Sequence, residues 1–327
     1  MFFANGKYDY FIMVGPGSDY GDQMWKDLSK LDNCFYSNNV LKATNSFVKL
    51  LHHIHFSFAI NKILPLPFKS IWNNKYFLST VDFNQNKRFC VILTDVSACR
   101  IGVKYLKKIS RKPNVDLVLV NVNVFQSKKT LLAKRLCFFN KVFTFDKRDA
   151  DEYGFILYEK FYSSEAFTPP TNNAFLYDAV FVGRSKGRAK LLSEIADKMV
   201  ANGLKPCFYV VGVKKKEQFS KNVIYNKKID YDRVLALSKL SKCIVEVVAN
   251  NQEGFTLRFV EAVCLNKLLM TNNQNVVKDP FYKSGNIKVF SNANDFDVSF
   301  IRNKIVSSYN YNNEFSPIHF VEELCKQ

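Results

Sequence analysis

Short apolar runs recur along this chain, each closed by a turn and followed by a segment of helical spacing. That alternation constrains the fold more than any other feature. Tyr8–Val14, Phe89–Thr94, Val115–Val124 and Lys141–Asp146 form a first series of expected strands. Ala179–Val182, Cys207–Val211, Cys243–Val248, Leu268–Asn273 and Asn286–Phe290 form a second. Runs that are apolar on nearly every residue, rather than on alternate ones, suit parallel strands covered on both faces. The segments between them supply the crossovers: in 101–112, Val103, Leu106 and Ile109 mark one helical face. Residues 40–80 also read as helical and aromatic. Between the two series lies Phe161–Asn173, where Pro169-Pro170 and Asn172-Asn173 break every period and mark a linker. The expected fold class is therefore α/β, with two parallel-sheet domains facing a cleft. Their expected bounds are 1–165 and 174–310, with 311–327 as a terminal helical segment. A chain of 327 residues is long enough for two such cores.

Charge narrows the partners without choosing one. A formal net charge of +18 fits nucleic acid, an anionic membrane or a polyanionic substrate alike, and a lysine- and asparagine-rich proteome leaves the same mark. Lys104, Lys107, Lys108 and Arg111 recur along one helical face, and Lys128, Lys129, Lys134 and Arg135 follow. The default reading of such stripes is a solvated face, and docking on anionic lipid produces the same pattern. No RNA- or DNA-reading motif accompanies the charge, so nucleic acid is not an expected partner. The most apolar stretch, Phe56–Phe68, is interrupted by Lys62, Pro65 and Pro67 and does not read as a membrane span. Met1–Lys7 lacks the basic and apolar regions of a signal peptide, so the expected location is cytoplasmic, with peripheral contact at the inner face of the membrane. The eight cysteines are scattered singly with no C-x-x-C pair and read as reduced core residues.

Two loops carry the expected chemistry. The first follows strand Ala179–Val182 and reads Gly183-Arg184-Ser185-Lys186-Gly187-Arg188, with Lys190 on the helix beyond it. The second, Asn250–Ala262, follows strand Cys243–Val248, with Gly254 where loop turns into helix and carboxylates at Glu253 and Glu261. A helix N-terminus presents unpaired N–H groups and a positive dipole end to phosphate. Glu261 lies about two turns into that helix, so one carboxylate at the loop and one on the helix can hold hydroxyls at two points of an elongated ligand. The competing reading is an ordinary loop-to-helix junction, with Glu261 solvated or paired with Arg258 one turn earlier. For the first loop it is a generic turn with surface cations.

The run Glu253-Gly254-Phe255-x-Leu257-x-x-x-Glu261-Ala262 resembles the E-x7-E motif of GT-B-fold glycosyltransferases, enzymes built from two Rossmann-like domains. Val182-Gly183-Arg184-x-Lys186-Gly187 resembles the first loop of their donor domain. The Phe145-Asp146…Asp149-Ala150…Tyr153-Gly154 run resembles the end of the N-terminal domain in bacterial polysaccharide enzymes. The resemblance implies a metal-independent hexosyl- or deoxyhexosyltransferase that moves a sugar from a nucleotide-sugar to a lipopolysaccharide-core or capsule acceptor, with retention. It implies that Glu253 contacts the donor sugar, that Glu261 holds the ribose, and that the amides of Gly254, Phe255 and Thr256 approach the diphosphate. Gly183 shapes the first loop, and Arg184 and Lys186 meet the diphosphate charge. Thr256 departs from the pattern, where the family often has a second glycine. The resemblance further implies that the last helix packs back on the first domain. No bound cofactor is expected beyond the donor itself, whose nucleotide the residues do not specify; UDP is the default. The acceptor would be lipid-linked or an oligosaccharide.

Other chemistry is less well supported. Gly15-Pro16-Gly17-Ser18 ends the first strand but no G-x-G-x-x-G follows. Asp149-Ala150-Asp151 and Asp295-Phe296-Asp297 match the D-x-D of metal-using transferases, yet neither follows a convincing buried strand in a nucleotide-binding half. His52, His53 and His55 cannot all lie on one helical face, which favours packing over metal. An inverting enzyme would need a base, for which Asp19, Asp95 or one of these histidines stands available. A non-catalytic GT-B-like module that binds glycan or membrane remains the rival reading.

Overall fold

The computed structural model describes residues 6–64, 66–83, 86–127, 129–158, 161–163, 175–248 and 254–326. The chain divides into two compact units, one of Met1–Ser163 with Phe315–Gln327 and one of Ser164–Glu314. The proline- and asparagine-rich linker residues 164–173, and Glu253 and Lys128, lie outside the described residues.

The first unit holds a six-stranded parallel sheet made of β1 (Tyr10–Val14), β2 (Cys34–Ser37), β3 (Phe89–Thr94), β4 (Val115–Asn121), β5 (Lys141–Thr144) and β6 (Ile156–Leu157), in the order β2-β1-β3-β4-β5-β6. β3 is buried on all its residues and is flanked by β1 and β4, as a central strand of a parallel sheet should be. The helix Val103–Ser110 turns Tyr105, Leu106 and Ile109 inward. Residues 40–80 do not form one helical stretch. Helices Ser46–His55 and Phe58–Ile63 give way to 3₁₀ turns at Lys69–Lys75 and Phe77–Thr80. Phe68, with φ at 59°, sits in the left-handed region that a helix cannot continue through. The terminal helix Pro317–Lys326 belongs to this unit. Its Phe320 is fully buried and its ring meets those of Phe143 and Tyr158 at 5.0 and 4.8 Å. Ser316 Oγ donates to Asp27 at 3.0 Å beside it.

The second unit repeats the plan with β7 (Tyr177–Arg184), β8 (Pro206–Val211), β9 (Ile224–Tyr225), β10 (Ser241–Glu246), β11 (Leu268–Thr271) and β12 (Ile287–Val289), all parallel, in the order β12-β11-β10-β7-β8-β9. Strand order reverses between β7 and β10, the switch point where a doubly wound sheet opens a crevice at its carboxyl edge. Ile244 pairs with Val180 there, so the loops leaving these two strands emerge side by side.

All eight cysteines are free. Cys90, Cys207 and Cys243 are core residues, but Cys137 is exposed, because the turn Leu136–Phe138 that carries it buries none of its residues. No helix of the described residues is long and apolar enough to cross a membrane.

Candidate functional site

The two loops singled out in the sequence are the two that leave β7 and β10 at the switch point. In the first, Ser185 is buried and its N–H donates to Val211 O at 2.8 Å, which pins the loop to β8. Lys186 follows in the left-handed region at φ 44°, and Gly187 at φ 82°. Two such residues in succession turn the chain sharply enough to start the helix Ala189–Ala201 directly above the strand end. Arg188 occupies the N-cap position, where no side chain accepts from the first-turn N–H groups.

Arg188 folds back across the crevice. Its Nε donates to Ser185 O at 2.9 Å, Nη2 to Arg184 O at 2.6 Å, and Nη1 to Val247 O beyond the end of β10. It therefore stitches the two loops together. Arg258, on the helix Leu257–Cys264 that follows the second loop, reaches back from the other side. Its guanidinium lies over the Phe181 ring at 4.5 Å and donates to Val182 O. That space exists because residue 183 is glycine: a Cβ there would fall on the Arg258 Nη2.

Arg184, Lys186, Arg188 and Arg258 thus crowd one strand-end crevice. Burial and then the neighbouring Arg188, Arg258 and Arg184 hold the Lys186 ammonium below its ordinary value. Burial, followed by Arg258, draws Arg188 down to about 10, still charged at neutral pH. Like charges this close repel, and an anion bound among them relieves the repulsion. Arg184 and Lys186 are exposed at the mouth, whereas Arg188 and Arg258 are half-buried.

Two buried carboxylates sit behind the cations. Glu246, at the end of β10, accepts from the hydroxyls of Thr256 and Thr271, the latter at 2.5 Å, and from Thr256 N at 3.3 Å. Thr256 also N-caps the helix, its Oγ1 accepting from Arg258 N at 3.1 Å. This explains threonine where the resembled motif has glycine: a carboxylate taken out of water needs donors, and Thr256 supplies two. The Thr256 amide, for which the resemblance implies a diphosphate contact, is directed at Glu246. Glu261 is neither solvated nor a simple partner of Arg258. It is 3% exposed, and Tyr231 donates its hydroxyl to Oε1 at 2.5 Å. Burial raises its carboxyl to about 7, against the opposing effects of Tyr231 and Arg258. Phe255 is half-buried, its ring 4.5 Å from that of Phe259, and Gly254 is buried.

Of the remaining candidates, His52, His55, Asp95, Asp149 and Asp297 have structural work. His52 is buried, with Nε2 3.0 Å from Arg100 O, and burial pushes it down to about 4. His55 accepts from Trp72 Nε1 at 2.8 Å while its Nε2 lies 2.7 Å from Pro67 O. His53 is exposed. Asp95 accepts from Val122 N and Asn123 Nδ2 and ties β3 to the loop after β4. Asp19 is exposed in the first turn of its helix. Asp149 accepts from Phe125 N at 2.6 Å, and Asp297 caps the helix Val298–Asn303, so both D-x-D runs have carboxylates committed to backbone. No group of three or more His, Cys, Asp or Glu fit to hold a metal occurs among the described residues.

Sequence reasoning passed over Glu246, Tyr231 and the stacking role of Arg258. The motif Thr256–Arg258 held a signal for the first, since a hydroxyl at a glycine position invites the question of what it bonds. Nothing local signalled Tyr231, which comes from a helix two elements away.

No family model matches the chain, and no curated protein matches its sequence. Solved structures do match its fold. One is the Methanocaldococcus jannaschii UDP-GlcNAc 2-epimerase in complex with UDP-GlcNAc and UDP, with 13% identity over 97% of this chain and 99% of that chain and a TM-score of 0.51. Another is S. aureus MnaA with UDP, with 11% identity over 97% and 98% of the two chains and a TM-score of 0.50. An alpha-glucosyltransferase in complex with UDP and a mismatched DNA matches with 10% identity over 89% and 87% and a TM-score of 0.50. At these identities the likeness is one of fold, and that fold is the GT-B type with two Rossmann-like α/β units.

Proposed function

We propose that this protein is a glycosyltransferase whose second unit binds a nucleotide-sugar at the switch point between β7 and β10. The observation that carries the reading is the cation cluster of Arg184, Lys186, Arg188 and Arg258 at one strand-end crevice beside the uncapped start of the helix Ala189–Ala201. Such a crevice fits a diphosphate. UDP is the nucleotide favoured by the company the fold keeps, since similar folds have been solved with UDP bound. In this reading Arg184 and Lys186, exposed at the mouth, neutralise charge growing on the departing diphosphate, while Arg188 and Arg258 hold the loops in register. Cations placed beside the departing diphosphate do this without a metal ion. Glu261, oriented by Tyr231, takes a ribose hydroxyl, and the resemblance gives Glu253 the donor sugar. Transfer with retention to a lipopolysaccharide-core or capsular glycan is the reaction that resemblance favours.

The test is sugar transfer from a panel of UDP-, GDP-, CMP- and dTDP-sugars to bacterial glycan acceptors, in EDTA. Transfer from one donor is expected, with turnover lowered roughly tenfold or more in Arg184→Ala. Strict dependence on an added divalent ion, or a wild-type rate in the variant, contradicts the mechanism. UDP-sugar epimerisation without transfer would reassign the same donor site to another reaction.

A further inference from the structure

The helix Ser46–His55 is mounted the wrong way round for a globular protein. Phe47, Leu50, Leu51 and Ile54 occur at i, i+3, i+4 and i+7, the spacing that normally faces a core. Here all four are exposed, Phe47 at 66% and Leu50 at 53%. The opposite face makes the contacts with the unit. His52 is buried with its ring edge-on to Trp72 at 4.9 Å, Val48 and Phe56 pack on the core, and His55 is bonded to Trp72. The exposed apolar character continues through the next segment, where Ile63 and Phe68 are 88% and 78% exposed, with Leu64 and Ile71 also exposed. This segment is fastened rather than loose: Lys69 Nζ donates to Asn61 Oδ1 at 2.6 Å and lies over the Phe56 ring. Large apolar side chains concentrated on one short stretch in this way mark a surface meant to be covered.

Charge identifies the cover. Residues 33–81 contain no Asp or Glu, yet carry Lys42, Lys49, Lys62, Lys69 and Lys75. The helix Val103–Ser110, which packs against the Lys69–Lys75 turn, adds exposed Lys104, Lys107 and Lys108. A second copy of this face would bring these cations together without a counter-charge. We propose that residues 46–64 and 66–71 form a docking face for an anionic lipid bilayer, with the Phe47, Leu50, Leu51 and Ile54 stripe entering the headgroup boundary and the surrounding lysines meeting lipid phosphates. The lysine stripe alone is compatible with a solvated face; the outward apolar stripe beside it is what selects membrane. Interfacial binding of this kind adds buried apolar area to electrostatic attraction and needs no spanning segment. The inference is independent of the sugar-transfer reading.

Co-sedimentation with vesicles tests it, using equimolar phosphatidylglycerol and phosphatidylcholine against phosphatidylcholine alone. The full chain is expected to pellet with the anionic vesicles, less with the neutral ones, and less again as salt rises. Leu50→Ser/Leu51→Ser is expected to weaken binding about tenfold or more, and Lys49→Glu to weaken it by at least about fivefold. Both variants should keep the wild-type thermal shift with UDP, or the same absence of one, which separates this result from the fate of the donor site. No binding to anionic vesicles, or equal binding by the leucine variant, overturns the proposal. A wild-type dimer that Leu50→Ser/Leu51→Ser converts to monomer, without vesicle binding, overturns it in favour of an interface between copies.

Discussion

Glu261 shows how much a single side chain here depends on burial. Its carboxyl, raised to about 7 from 4.5 by desolvation, favours the protonated form when folded. Its contribution to stability is therefore whole below about 4.5 and is lost as pH rises through about 7. Glu261→Gln keeps an acceptor for Tyr231 and cannot ionise. The variant is expected to unfold at higher urea than the wild type at pH 8, by up to about 3 kcal/mol, and to match it near pH 4. Equal pH slopes in the two proteins would mean that Glu261 is not held in an apolar setting. Glu246 and Asp149, raised by the same cause, add a dependence of the same sign that both proteins share. A ligand hydroxyl donating to Glu261 would favour the ionised form, which is how the proposed function uses a group whose burial costs stability. Thr256 makes the matching point for sequence reading. It departs from the glycine of the resembled motif, and it is the means by which Glu246 is satisfied.

At the scale of elements, the site is two loops held at one sheet edge by arginines. Gly183 makes room for Arg258 on Phe181, so Gly183→Ala is expected to displace the guanidinium and lower UDP affinity about tenfold. In Gly183→Ala/Arg258→Ala the loss should be no greater than in Arg258→Ala alone, since both changes remove one arrangement. Additive losses would place the two residues in separate roles. The long strands were readable from the sequence because a fully buried parallel strand is apolar throughout, as Phe89–Thr94 is. β2, β6 and β9 were not. They are edge strands of four, two and two residues with half-exposed or exposed patterns, and no continuous run announces them. The loops at Gly183–Arg188 and Gly254–Thr256 could be found as motifs. That they lie side by side could not, because it follows from β7 pairing with β10 across five intervening elements.

For the whole molecule, a strongly basic chain carries its cations in two different settings. In the second unit they converge on a strand-end crevice with buried carboxylates behind them, which fits a small doubly charged anion. In the first they surround an outward apolar stripe, which fits an extended anionic surface. Net charge of +18 alone could not separate these uses, because a sum carries no positions. The central claim is that the switch point of the second unit is a nucleotide-diphosphate site. The most direct measurement is a thermal-shift titration with UDP, GDP, CMP and dTDP, alongside single-stranded RNA, on the wild type and on Arg184→Ala/Lys186→Ala. The account predicts stabilisation of several degrees by one nucleotide, most readily UDP, abolished in the double variant and not reproduced by RNA. No nucleotide stabilising the wild type, or equal stabilisation of the double variant, would contradict it.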